Sequence, residues 1–135
     1  MGVARVIVDT SALLAVVLQE PESASFTKVM LTGMPRMSAA SCVEAQAVLS
    51  RYHRPELRGR LDRIVKALGV QIVEVSAAQA LLAAQAYYEF GRGSGHRANL
   101  NFSDVFAYAL AITEDEPLLF KGDDFSQTDV RVVVG

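Results

Sequence analysis

Cysteine is all but missing from this chain of 135 residues: Cys42 stands alone. It can form no internal disulfide, and no second thiol gives it zinc-ligand spacing, so a reducing cytoplasm is the expected compartment. Histidine is nearly as scarce. His53 and His96 are the only two and do not stand in metal-ligand spacing, which disfavours the imidazole- and thiolate-rich centres that select zinc. Long apolar runs are missing as well. The first, Val6-Ile7-Val8, is cut by Asp9 and Thr10, and no stretch approaches the ~18 uninterrupted apolar residues of a membrane span. Neither export nor membrane insertion is expected.

Several catalytic signatures are absent too. There is no Gly-x-x-x-x-Gly-Lys-Ser/Thr loop, no Gly-x-Gly-x-x-Gly leading from a strand into a helix, and no Gly-x-Ser-x-Gly elbow. Asp9-Thr10-Ser11 lacks the second aspartate, two residues on, that an aspartyl-phosphate mechanism uses for acid-base work. What is present suits one domain over residues 1–135: 51% hydrophobic and 21% charged residues, with a net charge of −2. That small charge hides two opposed regions. From Arg51 to Lys66 six basic residues face only Glu56 and Asp62, whereas from Glu114 to Asp129 six acids face only Lys121. The basic run reads most simply as a solvated helix face, with polyanion binding as the functional alternative.

The pattern predicts strands alternating with helices. Residues 4–8 form a buried strand, and Ser11 caps a helix to about Leu18. Pro21 opens a second helix to about Leu31, followed by a short strand at 36–38. Ser38 or Ser41 caps a helix to about Tyr52, with Val43, Ala47 and Val48 on one face. Another helix spans 56–68 between Pro55 and Gly69, and 70–75 is a strand. Ser76 and Gln79 make a capping box for a helix to Phe90. The segment 91–97, with three glycines and two arginines, is expected to be a mobile loop. Asn101 or Ser103 caps a helix from Asp104 to about Thr113, and 117–120 and 130–134 are the last strands. Strands with apolar rather than alternating patterns argue a parallel α/β sandwich. Leu14, Val17, Phe26 and Met30 on the early helices are expected mainly in the core.

Among these elements four acids stand out: Asp9 ending the first strand, Glu44 and Asp104 opening helices, and Asp123 or Asp124 after the run Leu118-Leu119-Phe120. Each has an innocent reading as a turn residue, a capping-box member or a favourable charge at a helix start. Together they point elsewhere. Asp9 lies where open parallel sheets bind ligands, and carboxylates that converge survive as anions only with cations among them. Their oxygens suit magnesium or manganese.

The runs Val6-Ile7-Val8-Asp9-Thr10-Ser11-Ala12-Leu13, Glu20-Pro21-Glu22, Ser38-x-x-Ser41-x-x-Glu44-Ala45, Leu100-Asn101-Phe102-Ser103-Asp104-Val105-Phe106-Ala107 and Pro117-Leu118-Leu119-Phe120-Lys121-Gly122-Asp123-Asp124-Phe125 occur in order over nearly the whole chain. This set resembles PIN-domain ribonucleases of the VapC toxin type. The resemblance implies a three-layer α/β sandwich and a magnesium-dependent endoribonuclease, with Mn2+ able to substitute. It also implies the toxin of a toxin–antitoxin pair, usually a homodimer, silenced by a cognate antitoxin protein. Carried onto this sequence, it makes Asp9, Glu44, Asp104 and Asp123 the metal-binding catalytic acids. Asp124 is the reserve for the last, because many relatives have that acid where Gly122 stands here. Arg92, His96 and Arg97, just ahead of the Asp104 helix, are expected to grip RNA phosphates. The alternatives are a non-catalytic RNA- or partner-binding module of the same fold and a receiver-like signalling module. The latter lacks an acceptor aspartate at the end of its middle strand.

Overall fold

The structure is a computed structural model that describes residues 4–133. Four parallel strands form its sheet in the order β3-β2-β1-β4: β1 (Arg5–Val8), β2 (Met34–Ser38), β3 (Gln71–Val73) and β4 (Leu118–Leu119). Helices α1 (Thr10–Val17), α2 (Ser23–Thr32), α3 (Ala39–Ser50), α4 (Glu56–Leu68), α5 (Ala77–Phe90) and α6 (Asp104–Glu114) connect them. The period-2 alternation of β1 divides the interior. Val6 and Val8 pack with Leu13, Met30, Met37, Leu49 and Leu61 beneath α1–α4, while Ile7 packs with Leu100, Leu110 and Leu118 beneath α5 and α6. The result is the expected three-layer sandwich, and Leu14, Val17 and Met30 are indeed core.

Strand order places the functional end. From β1 the chain winds outward through β2 to β3, then returns to lay β4 on the other side of β1. The register pairs Ile7 with Leu118 and Val8 with Leu119, and the Asp9 amide donates to the Leu119 carbonyl at 3.0 Å. The direction of winding reverses between β1 and β4, so a crevice opens beyond their carboxyl ends, where parallel sheets bind ligands. Asp9 stands at its floor.

Several local expectations shift. Asp9 itself caps α1: its carboxylate accepts the Ser11 amide, and the Ser11 hydroxyl is turned back onto the same carboxylate instead of serving as the cap. The second helix begins at Ser23, after the turn that Pro21 occupies. Ser38 caps α3 by accepting from the Ala40 amide at 3.2 Å, so the Ser41–Glu44 capping box does not form and Glu44 falls within the helix, not at its start. The buried face of α3 is Ser41, Ala45 and Leu49, leaving Val43 69% exposed. The last strand shrinks to a bridge between Leu118 and Val132, and Val134 lies outside the described residues.

The glycine-rich segment is better tied down than its composition suggests. A parallel bridge joins Gly91 to Leu100, the Arg92 amide donates to the Leu100 carbonyl at 2.9 Å, and the Leu100 amide donates to the Phe90 carbonyl at 2.8 Å. Gly91 is required there, since a Cβ would lie 2.4 Å from the Tyr87 carbonyl oxygen. The loop is closed at its base, and Ser94 and His96 are hydrogen-bonded within it. No helix among the described residues is long and apolar enough to cross a membrane.

Candidate active site

Asp9 is 4% exposed and its two oxygens are treated differently. Oδ2 accepts from the Ser11 amide at 3.0 Å and from the Ser11 hydroxyl at 2.6 Å, whereas Oδ1 is buried with no hydrogen-bond partner. Burial pushes its pKa from 3.8 up to about 6; the Glu44 charge adds to the rise and the Ser11 hydrogen bonds oppose it. Ser11 in turn accepts from the Lys121 amide at 2.9 Å, which seats the chain beyond β4 against the site. Thr10 is buried and its hydroxyl donates to the Ser41 carbonyl at 3.0 Å, fixing the start of α3 beside the β1 turn.

Asp104, 8% exposed, is set by its own helix start. The Asn101 side chain accepts from the Asp104 amide at 2.9 Å while Asp104 Oδ2 accepts from the Asn101 amide at 2.9 Å. This is a reciprocal capping box spanning three residues, with Asn in the capping role. Burial again dominates the pKa of Asp104, pushed from 3.8 up to about 7, with the charges of Asp9, Asp124 and Glu44 raising it further and the Asn101 amide lowering it. Glu44 reaches the same crevice from α3, and its Oε2 accepts from the Ser103 hydroxyl.

Asp9, Glu44 and Asp104 therefore share one crevice, although they are dispersed in sequence. Of the last pair, Asp123 and Asp124 are both exposed, and Asp124, not Asp123, is the one whose charge reaches Asp104. Gly122, with φ of 100°, turns the chain between Lys121 and the short 3-10 helix Asp124–Gln127.

An orphaned buried carboxylate oxygen beside a second buried carboxylate of raised pKa is the chemistry of a hard-cation site. Among the described residues no three His, Cys, Asp or Glu side chains stand together as a group that could by itself hold a metal ion. Magnesium does not require one: it usually keeps several waters and takes only one or two carboxylates. The donor set fits such an ion and not zinc.

Arg92 and Arg97 are exposed and make no ion pair among the described residues. His96 is more constrained. Its ring meets Phe90 edge-on at 4.9 Å and its Nδ1 accepts from the Ala98 amide at 3.0 Å, leaving Nε2 available. The basic run lies on the opposite helices. Arg58, Arg63 and Lys66 are solvated on α4, Arg54 pairs with Glu56 at 2.9 Å, and Arg60 caps the end of α1 through the Val17 carbonyl at 3.1 Å. A groove of about 800 Å³ between α3 and the start of α4 is lined by Val43, Ala47, His53, Arg54 and Arg58 among others, and none of the four acids lines it.

The profile of the PIN domain matches residues 6–131. Ribonuclease VapC42 of Mycobacterium tuberculosis is 50% identical over 127 residues, which cover 93% of this chain and 96% of that protein. Among solved structures, Mycobacterium tuberculosis VapC20, described as a Sarcin-Ricin loop cleaving toxin, superposes with a TM-score of 0.74 at 18% identity over 96% of this chain and 99% of its own. A toxin-antitoxin complex from Klebsiella pneumoniae gives 0.69 at 18% identity over 95% and 96%. These two likenesses concern the fold.

Proposed function

Since the chain belongs to the PIN-domain ribonucleases of the VapC type, we propose that Asp9, Glu44, Asp104 and Asp124 hold hydrated magnesium, one or two of them directly and the others through its waters, and that the protein hydrolyses phosphodiester bonds in RNA. The observation that carries this reading is the partnerless Oδ1 of Asp9, buried at the carboxyl end of β1 beside a second buried acid. When bound, such a cation makes water acidic enough to attack near neutral pH and offsets charge on the phosphodiester. The protein's own part is to hold the carboxylates in place. Ser11 orients Asp9, Asn101 orients Asp104, and Glu44 is left at the crevice with an oxygen to orient the attacking water or accept its proton.

VapC-type PIN nucleases depend in general on a divalent metal; magnesium, with manganese able to substitute, is the proposal for this chain. Incubation with RNA and Mg2+ is expected to yield internal cleavage that a chelator abolishes. Cleavage that persists in chelator rejects the reading in favour of metal-free chemistry, and no cleavage under any divalent ion favours the non-catalytic module. The fourth acid is tested in the same assay. Asp124→Asn is expected to slow cleavage by about tenfold or more, and Asp123→Asn to leave it near wild type; the reverse ranking restores Asp123 to the role.

Arg92, Arg97 and the free Nε2 of His96 are the proposed phosphate grip, because their loop runs directly into the Asp104 turn. Removing one cation that neutralises a phosphate lowers the slope of binding against salt by roughly one. Arg97→Ala is expected to show that change, and an unaltered slope and affinity in a filter-binding titration removes Arg97 from the interface. An antitoxin partner, a homodimer and a cytoplasmic setting complete the proposal, supported by the kinship with VapC toxins and by the likeness of fold to a toxin-antitoxin complex.

A further inference from the structure

Ser103 occupies the position ahead of α6 where a serine hydroxyl ordinarily bonds its own helix, yet it makes no side-chain cap there. Asn101 has taken that role, accepting the Asp104 amide at 2.9 Å and leaving the Ser103 hydroxyl unused by α6. That hydroxyl crosses to the other helical layer, where it donates to Glu44 Oε2, 59 residues away in sequence. Asn101 Oδ1 also lies 2.9 Å from Ser103 Oγ. The single hydroxyl proton thus sits between two acceptors, and the charged carboxylate draws it more strongly.

We infer that Ser103 is a positioning residue for the cation site: it fixes the Glu44 carboxylate, and Asn101 holds it in register with Asp104. Two of the proposed acids are then set by a single turn, residues 101–104. A glutamate has three side-chain torsions to freeze, and among the described residues Ser103 is the only side chain that donates to Glu44. Groups that hydrogen-bond a ligating carboxylate typically contribute 10- to 100-fold in metal affinity. This inference rests on the reading of the crevice as a divalent-cation site.

The test is Mn2+ binding by calorimetry, without RNA, to the full chain carrying Ser103→Ala, Ser103→Thr, Glu44→Gln, or Ser103→Ala with Glu44→Gln. Ser103→Ala is expected to weaken Mn2+ binding by about tenfold. Ser103→Thr, which keeps the hydroxyl, is expected to remain close to wild type. In the Glu44→Gln background the alanine is expected to change nothing further, because the carboxylate it served is gone. Wild-type affinity in Ser103→Ala overturns the inference. So does an equal loss in both backgrounds, the mark of a loosened α6 start in place of a broken link to Glu44. A wild-type protein that takes up no Mn2+ overturns the cation-site reading itself, a result distinct from either.

Discussion

Asp9→Asn is expected to slow RNA cleavage by roughly a hundred- to a thousandfold or more, the scale of losing one fixed electrostatic group at a reacting centre, while making the metal-free protein harder to unfold. The two effects have one origin. Asparagine is nearly isosteric, and its side-chain oxygen can still accept from the Ser11 amide and hydroxyl, so the α1 cap survives. What disappears is a buried negative charge whose second oxygen has no partner. At ~1.4 kcal/mol per tenfold in proton affinity, raising Asp9 from 3.8 to about 6 leaves its ionised form on the order of 3 kcal/mol less favourable in the folded protein. Removing that charge is expected to raise the thermal midpoint at pH 8 in chelator by several degrees. Wild-type cleavage in Asp9→Asn refutes the metal-site reading. An active-site loss with a lowered midpoint instead makes Asp9 a structural cap whose replacement damages the fold.

Such an opposition between stability and function at one residue explains which parts of the molecule could be foreseen. Local punctuation was legible where one signal stood alone. Pro55 and Gly69 bracket α4 at Glu56–Leu68, the glycine having the left-handed φ of 67° that a helix end favours, and Ser76 caps α5 through the Gln79 amide as its spacing predicts. Where two candidates competed, local pattern alone did not choose. Ser38 caps α3 through the Ala40 amide, which puts Ser41 inside the helix, where its carbonyl accepts from Thr10, 31 residues away in sequence. Asp9 outcompetes Ser11, and the Ser11 oxygen is shared with Lys121 beyond β4.

The acids follow this rule. Asp9 and Asp104 sit at element ends, so strand and helix boundaries suffice to bring them to one crevice. The fourth acid follows the turn at Gly122, whose φ of 100° no periodicity reports, and there the charge acting on Asp104 comes from Asp124. Asn101 carried a usable signal, the Asn-x-x-Asp spacing of a capping box, which Ser103 obscured as a rival cap. The link from Ser103 to Glu44 spans two layers of the sandwich and left no trace in either local pattern.

Raising the pH from about 5 to 8 in chelator is expected to lower the thermal midpoint of the wild-type protein, and magnesium is expected to restore it most at the alkaline end. Asp9 and Asp104 both start from 3.8 in the unfolded chain and are pushed to about 6 and about 7 when folded. Over that window the folded state binds more protons than the unfolded one, so stability falls as pH rises and is lowest above pH 7. The exposed Glu56, whose pKa is lowered through its own helix start and Arg54, opposes this trend only at more acidic pH. A divalent cation prefers the ionised carboxylates, so its binding strengthens in the range where the protonated form is depleted. At about a hundred times its Kd it adds about 2.7 kcal/mol to the folded state. Paired melting curves with Mg2+ and with chelator, taken at pH 5 and pH 8, read this directly: the gap between them is expected to widen with pH in the wild type and to narrow in Asp9→Asn. A gap independent of pH would mean that the cation binds away from these two buried acids. A chelator midpoint that rises toward pH 8 would mean that their burial is not what governs the acid-base balance of the fold.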